Sequence, residues 1–218
     1  SPEVNEFDIA EFNVKRGAIT AEFGRSSGFV ANAVTRSGTN QFKGGVRFEA
    51  IPAAWNAKNK ATNIRNTTDR WIPSYAIGGP ILRDRLFFYT SGMLLRSDTS
   101  GRVNNLGPVP DSETTTKEFF GKVTYAPAAS QFINAGYRVR PSTSAYAGVG
   151  VNDSPEVATD SEGTNRVATA NWNMFFGQRN YVEAKYLRLD EEGEAVARTD
   201  LGYRPTFDLN NLRRMGYW

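Results

Sequence analysis

The side chains that could do chemistry in this sequence are carboxylates, lysines, arginines and tyrosines. The 218 residues contain neither histidine nor cysteine, which excludes serine–histidine triads, HExxH zinc sites, cysteine nucleophiles and disulfides. The acids of two stretches offer the oxygen ligands that calcium binds: Asp190 to Glu194, and Asp153, Glu156, Asp160 and Glu162. Neither stretch has the spacing of an EF-hand loop, so we interpret both as solvated surface segments.

Two further arrangements also lack the context that catalysis or cofactor binding requires. Glu49 and Glu183 are a conceivable glycosidase acid and base, but the sequence does not fix their separation. GRSSG, from Gly24 to Gly28, has no GK[ST] after it and is no phosphate loop. We therefore predict no catalytic, metal-binding or cofactor-binding residue, and a protein that is not an enzyme. The balance of 26 basic against 23 acidic residues also argues against nucleic acid as a partner.

The elements that must position these side chains are predicted to be β-strands. Polar and apolar residues alternate with a period of two over seven segments after Gly44. In FINAGYRVRP, one face carries the apolar residues Ile133, Ala135, Tyr137 and Val139. The other face carries Asn134, Gly136, Arg138 and Arg140. The segment from Leu86 to Leu95 is apolar on both faces, so its orientation stays open.

Short and long connections alternate between these predicted strands. Leu82 to Arg85, Ala126 to Ser130 and Gly177 to Arg179 have hairpin-turn length. The intervening polar segments are long: Pro52 to Arg70, Asp98 to Thr116 and Ser142 to Asn165. This asymmetry is typical of an outer-membrane barrel, which has short periplasmic turns and long external loops. We predict an all-β fold, an antiparallel transmembrane β-barrel of which this chain supplies about seven strands.

In such a barrel the apolar face meets lipid and the charged face points into the lumen. The residues expected to face the lumen are Arg47, Glu49, Lys122, Arg138, Arg140, Glu183 and Lys185. Two alternatives stay open: a soluble secreted β-sandwich that binds carbohydrate through exposed aromatics, and a passive porin that has the wall without a plug.

Two long segments narrow the interpretation. AEFGRSSGFVANAVTRSGTNQFKG, from Ala21 to Gly44, and GGPILRDRLFFY, from Gly78 to Tyr89, resemble the end of the plug and the first barrel hairpin of TonB-dependent outer-membrane receptors of the Oar-like kind. The sequence departs mildly from the family pattern at Phe29, Ala31 and Lys43.

The resemblance implies that residues 1–40 are the C-terminal part of a plug domain and that residues 41–218 are the first barrel strands with long external loops. It also implies energised passage of a bulky solute of unknown identity across the outer membrane of a Gram-negative-type bacterium. The implied partners are outer-membrane lipid, that solute, and the TonB complex through a segment upstream of Ser1. The N-terminal SPEVNEFDIAEFNV has no basic start or apolar core, so we expect no signal peptide in it.

The first segment would then be the joint between plug and barrel, with FVANAVT as the last plug strand. Its glycines are expected to allow positive φ values and close backbone approach, and its polar residues to satisfy backbone groups locally. The joint residues are Gly24, Arg25, Ser26, Ser27, Gly28, Gly38, Thr39 and Asn40.

Overall fold

The computed structural model describes residues 5–16, 29–55, 67–177, 180–198, 206–208 and 213–215. Within these ranges, no helix has the length and hydropathy needed to cross a membrane. The three helices described are single 3-10 turns, at Glu6–Asp8, Ala53–Trp55 and Pro155–Val157.

Strands account for most of the described chain. In chain order they are β1 (Ile9–Arg16), β2 (Phe29–Thr35), β3 (Lys43–Ile51), β4 (Thr68–Leu82), β5 (Leu86–Thr99), β6 (Val103–Asn104), β7 (Gly107–Pro108), β8 (Ser112–Ala128), β9 (Gln131–Ala147), β10 (Thr159–Phe176), β11 (Asn180–Ala197), β12 (Thr206–Asp208) and β13 (Arg213–Met215).

The main architectural unit is one antiparallel sheet of seven strands, ordered β11-β10-β9-β8-β5-β4-β3, which we call the wall sheet. Each wall strand pairs with its neighbour in sequence among the seven, so the sheet is a meander. The sheet is not closed, since within the described residues β3 and β11 each pair along one edge only. The prediction of seven antiparallel strands is confirmed.

The wall strands are longer than the alternation predicted. β4 to β11 of the wall sheet have 14 to 18 residues each, because pairing continues into polar stretches that were expected to be loops. The turn after β4 is residues 83–85, and that after β8 is residues 129–130. Two of the three predicted long connections are confirmed but shortened, to residues 100–111 and 148–158, and most of the third, residues 56–66, lies outside the described residues.

A separate two-stranded sheet precedes the wall. β1 pairs antiparallel with β2, from Ile9 opposite Thr35 to Arg16 opposite Phe29. FVANAVT is therefore a strand, as predicted. Two further small hairpins, β6-β7 and β12-β13, were not expected.

The buried residues form small clusters rather than one large core. Ile72, Met93 and Leu95 make one cluster, and Ala76, Tyr89 and Phe120 make another, against which Phe7 packs. Both clusters lie on the face of the wall sheet that residues 5–8 contact. We call this the covered face, and the opposite one the open face.

Candidate functional site

The open face of the wall sheet is apolar. Cross-strand partners in antiparallel pairs share a face, and the register joins Tyr125 to Ile133 and Ile133 to Trp172. Ile133, Trp172 and Val123 remain 37%, 38% and 42% exposed. A soluble sheet would bury these side chains under a second layer, whereas here none of the described residues forms one. The seven strands also form one sheet rather than the two packed sheets of the β-sandwich alternative.

The covered face carries the ionic side chains. Register and alternation place all seven predicted lumen residues on this one face. They are Arg47, Glu49, Lys122, Arg138, Arg140, Glu183 and Lys185. Two local pairs form among them, because Arg47 lies 2.8 Å from Glu49 and Lys185 lies 2.8 Å from Glu183.

An anionic side chain from the N-terminal segment is buried at the centre of the covered face. Asp8, only 1% exposed, accepts a hydrogen bond of 2.9 Å from Arg138 Nη2 and a short one from Ser91. Beside it, the Tyr89 hydroxyl donates to the Phe7 carbonyl at 2.6 Å, and Asn5 Nδ2 donates to the Gly92 carbonyl at 3.5 Å. Residues 5–8 are thus held on the wall by polar contacts.

A second buried carboxylate completes this cluster. The Glu118 side chain, 1% exposed, lies 3.2 Å from Arg138 Nη1 and 3.7 Å from Arg140 Nη1. Its Oε2 receives no hydrogen bond from the described residues. The Arg138 guanidinium also lies 4.9 Å from the centre of the Phe120 ring, which adds a cation–π contact. Arg138 therefore pairs with one acid of the N-terminal segment, Asp8, and with one acid of the wall, Glu118.

Burial and pairing shift the pKa of the Asp8 carboxyl in opposite directions. Desolvation raises the pKa of its carboxyl above the ordinary 3.8, and the hydrogen bond from Ser91 and the charge of Arg138 lower it by less. The net raised pKa means that ionised Asp8 is not fully compensated for its lost hydration. Docking of residues 5–8 is consequently sensitive to proton concentration.

Beside the Asp8 cluster, the covered face is recessed. A cavity of about 440 Å³ is lined by side chains and backbone of four adjacent strands, β8 to β11, including Thr116, Glu118, Arg140, Asn165 and Glu191. Its surface offers both guanidinium donors and carboxylate acceptors. A polar solute would find hydrogen-bonding groups of both kinds there.

The end of β2 makes a second polar contact with the wall. Lys122 Nζ donates to the Thr35 hydroxyl at 3.1 Å and to the Thr35 carbonyl at 3.3 Å. The chain then crosses to β3 through residues 36–42. Lys122 is thus a wall residue that fixes the exit of the β1-β2 hairpin.

Part of the predicted joint can be described. Gly24, Arg25, Ser26, Ser27 and Gly28 lie outside the described residues. Gly38 does not adopt a positive φ, so that expectation is wrong for this residue. Gly38 instead allows the backbone of the joint to pack closely against the wall. A Cβ at this position would lie 2.2 Å from the Phe88 carbonyl oxygen and 2.9 Å from that of Gly79.

Of the polar residues of the joint, Thr39 forms hydrogen bonds within the joint and Asn40 forms them with a distant turn. Thr39 acts locally, as predicted: its hydroxyl donates to the Gln41 carbonyl at 3.1 Å and accepts from the Gln41 amide at 3.3 Å. Asn40 instead contacts the β4-β5 turn, accepting from the Asp84 amide at 2.8 Å and donating to its carboxylate at 2.6 Å. The expectation of a local role is wrong for Asn40, which ties the joint to a turn of the wall.

At the opposite end of the sheet, three loop segments pack together. Arg102 donates to the carbonyls of Pro110, Tyr146 and Val149 at 3.1, 3.0 and 3.4 Å. Asp153 accepts from the Gly150 amide at 2.8 Å and from Arg214 Nε at 3.0 Å. The hydrogen bond from Arg214 lowers the pKa of Asp153 below 3.8. We call these residues, with segment 148–158, the loop cluster. Among the described residues there is no group of three metal-ligating side chains.

The sequence missed the acids of the Asp8 cluster. Extending the β8 alternation two residues before Phe120 would have placed Glu118 on the covered face. Nothing in the sequence separates Asp8 from its acidic neighbours, since its role depends on a contact with residues more than 80 positions away.

A long-stranded antiparallel meander with one exposed apolar face and one covered ionic face defines a section of an outer-membrane β-barrel wall. The chain belongs to the outer membrane beta barrel domain family, whose model matches residues 34–200. Its location is the outer membrane.

One curated relative and the absence of a structural match add to this. The chain is 36% identical over 97 residues to the TonB-dependent transporter Oar of Myxococcus xanthus, a match that covers 41% of this chain and 9% of Oar. The similarity supports the Oar-like resemblance, and it spans a small part of the relative's length. No solved structure matches the chain.

Proposed function

We propose that this chain forms part of the wall and part of the plug of a TonB-dependent outer-membrane receptor that moves a bulky solute inward in an energised step. The observation that carries the proposal is the placement of residues 5–8 and Thr35 on the ionic face, while the apolar face is left open. This is the arrangement expected of a plugged lumen surrounded by lipid.

The energetics of the two faces support this orientation. Hydrocarbon solvates Ile133, Val123 and Trp172 at no cost, whereas a lone ionised side chain on a lipid-facing surface costs about 2–4 kcal/mol at mid-bilayer. On the covered face, Arg138 pairs with Asp8 and Glu118, and Lys122 donates hydrogen bonds to Thr35. The open face is therefore the lipid face in this proposal, and the covered face is the lumen wall.

The open edges of the wall sheet imply additional strands. In hydrocarbon each unsatisfied backbone group costs several kcal/mol, so β3 and β11 must pair with further strands in the assembled barrel. Barrels of the plugged class have about 22 strands. We propose that residues 1–40 belong to the plug and residues 41–218 to the wall, with the boundary at the joint.

The chemistry of the interface suits a plug that moves. Besides the packing of Phe7 against the cluster around Tyr89, its described contacts are ion pairs and hydrogen bonds, whose net contribution is about 0.5–3 kcal/mol each because water can replace the partner. An apolar interface of the same size would not be re-solvated so easily. The recess of about 440 Å³ beside it offers polar groups to a passing solute. The printed name of Oar supports TonB as the energy-coupling partner.

A cross-link between the N-terminal segment and the wall tests the proposal. The sequence has no cysteine, so D8C/S91C in the full-length receptor provides one defined thiol pair for a short, reducible bifunctional reagent. Uptake of labelled iron chelates, oligosaccharides and peptides is compared in cells with and without TonB. We expect uptake of at least one probe to require TonB, to stop on cross-linking and to return on reduction.

The matched control is S91C alone with the same reagent, which should leave uptake unchanged. Uptake that continues after cross-linking, or that is equal without TonB, would show a passive wall of the porin kind and overturn the proposal.

A further inference from the structure

An apolar groove runs along the open face near the long-loop end of β3, β4, β5 and β8. It has a volume of about 730 Å³, and its side-chain lining on this face is Val46, Phe48, Pro73, Tyr75, Leu94 and Phe119. Gly92 makes room for the Tyr75 ring, which lies where a side chain at position 92 would begin. Val46 is 86% exposed, so nothing in the described chain fills this space.

Basic residues lie where the groove ends. In the register, Lys117 is paired with Leu94 of the groove lining, and Arg96 is paired with Trp71. Lys117 and Arg96 both point to the open face from neighbouring strands, offset by two residues along the register, and both are exposed. An elongated apolar molecule in the groove would therefore end against two positive charges.

The basic residues continue across the sheet as a diagonal row, made of Arg96, Lys117, Arg166 and Arg188, all on the open face. The register carries Arg96 to the following partners: Thr115, Thr143, Glu162 and Glu194. Relative to that line, Lys117, Arg166 and Arg188 lie two, four and six residues nearer the short turns. The descent is six residues over the four strand steps from β5 to β11.

In a barrel with tilted strands, residues at one height above the membrane are offset along neighbouring strands by about this much. Neighbouring strands are about 4.8 Å apart and barrel strands tilt about 35–45°, so a line of constant height shifts along the strands by about 1–1.5 residues per step. Six residues over four steps agrees with that shift. In the barrel the four basic residues therefore lie at one height, immediately above the apolar band.

Acids occupy the next level. Arg96 lies 3.1 Å from Asp98 and 3.2 Å from Glu113, Arg166 lies 2.8 Å from Glu192 of the neighbouring strand, and Arg188 lies 2.7 Å from Asp190. Each acid is farther from the apolar band than the base with which it pairs. Within the described part of the chain, Lys117 has no ion-pair partner. The positive charges thus form the level adjacent to hydrocarbon, where lipid headgroups begin.

We propose that this surface binds an outer-leaflet lipid with a phosphorylated headgroup. Its acyl chain lies in the groove and its phosphate contacts Lys117 and Arg96, while Arg166 and Arg188 bind phosphates of neighbouring lipids. Charge complementarity identifies the phosphate, and continuity of the groove with the basic pair identifies a lipid rather than a soluble anion. The inference concerns the lipid face alone and does not depend on a plug or on TonB.

The test uses the full-length receptor in nanodiscs of zwitterionic lipid doped with phosphatidic acid or with diacylglycerol of the same acyl chains. Native mass spectrometry counts retained molecules of each probe. We expect selective retention of phosphatidic acid, and about fivefold weaker retention for each base removed in K117Q and R96Q. The double variant D98N/E113Q, which releases Arg96 from both of its acids, should strengthen retention.

The matched control is K185Q, which removes an exposed base from the opposite face and should change nothing. Equal retention of diacylglycerol, an equal loss in K185Q, or a loss in D98N/E113Q would each overturn the proposal. So would complete competition by millimolar inorganic phosphate, because the site would then be one for soluble anions.

Discussion

Arg138 donates a hydrogen bond of 2.9 Å to Asp8, a residue 130 positions earlier in the chain. The carboxylate lies against the wall at 1% exposure, and the same guanidinium pairs with Glu118. One side chain of β9 therefore pairs with two buried carboxylates, one from the N-terminal segment and one from the wall.

Replacing Arg138 should release the N-terminal segment. In R138Q, Asp8 would stay buried without a cation, which costs about 3–5 kcal/mol. Hydrogen exchange of residues 5–16 in the full-length receptor should rise steeply, while exchange of the wall strands is unchanged. The matched variant R140Q retains the Asp8 contacts and should leave residues 5–16 protected. Similar exchange in both variants would contradict the assigned role of Arg138.

The two carboxylates with shifted pKa values predict opposite responses to pH. The raised pKa of Asp8 means that the docked state binds its proton more tightly than the undocked state, so docking weakens as pH rises from about 3.8 through the raised value. The lowered pKa of Asp153 means that the loop cluster keeps its stability above pH 3.8 and loses it below. Hydrogen exchange, corrected for its intrinsic rate, measures both in one sample. In D8N the first dependence should disappear and the second should remain.

Gly38 should not tolerate a side chain. A Cβ there would lie 2.2 Å from a backbone oxygen of β5, and backbone cannot move aside as a flexible side chain can. We expect G38A to cost about 2 kcal/mol or more and to reduce the folded receptor in the outer membrane, measured by heat-dependent gel mobility. G121A is the control, because its Cβ would meet only the Phe119 ring at 3.6 Å. Equal folding of both variants would show that the joint adjusts freely.

Adjacent residues of β8 should respond differently to charge. Val123 is on the open face and Thr124 on the covered face, where its hydroxyl donates to Asn134. V123R should destabilise the inserted barrel by about 2–4 kcal/mol and T124R by much less. Reversible unfolding in lipid vesicles measures the difference. If T124R were the worse variant, the assignment of the two faces would be reversed.

Loss of the Asp153 carboxylate should loosen the loop cluster. It accepts from Gly150 and from the Arg214 side chain at 2.8 and 3.0 Å. D153N should cost about 1–3 kcal/mol locally and expose residues 148–158 to added protease on intact cells. E162Q, an exposed acid of β10, is the control. Cleavage at the same rate in both variants would argue against a pinned cluster.

The wall could be predicted from sequence because its determinants are local. In a strand such as β9, alternation of apolar and polar residues shows directly which side chains belong to the apolar face and which to the ionic face. Turn residues mark where strands end. The orientation of β5 could not be predicted, because Met93 and Leu95 pack with Ile72 on the otherwise ionic face. Both faces of this strand are therefore apolar. Strand lengths were underestimated because backbone pairing continues past the end of the apolar band.

The Asp8 cluster could not be predicted, because it depends on how the N-terminal segment lies across the sheet. Asp8, Ser91 and Arg138 are far apart in sequence, and each is ordinary in its own segment. Arg138 could be assigned a face but not a partner. Asn40 was given a local role for the same reason, since its contact with Asp84 spans 44 positions.

The pairing of β1 with β2 has a mechanical consequence. Ile9 lies opposite Thr35, at the end of the hairpin where the chain is fastened to Lys122. Traction applied from the N-terminal side would first load the Asp8 contact and then act on Ile9 while Thr35 is held. In this geometry the hairpin unzips one backbone pair after another, which needs far less force than shearing all the pairs at once.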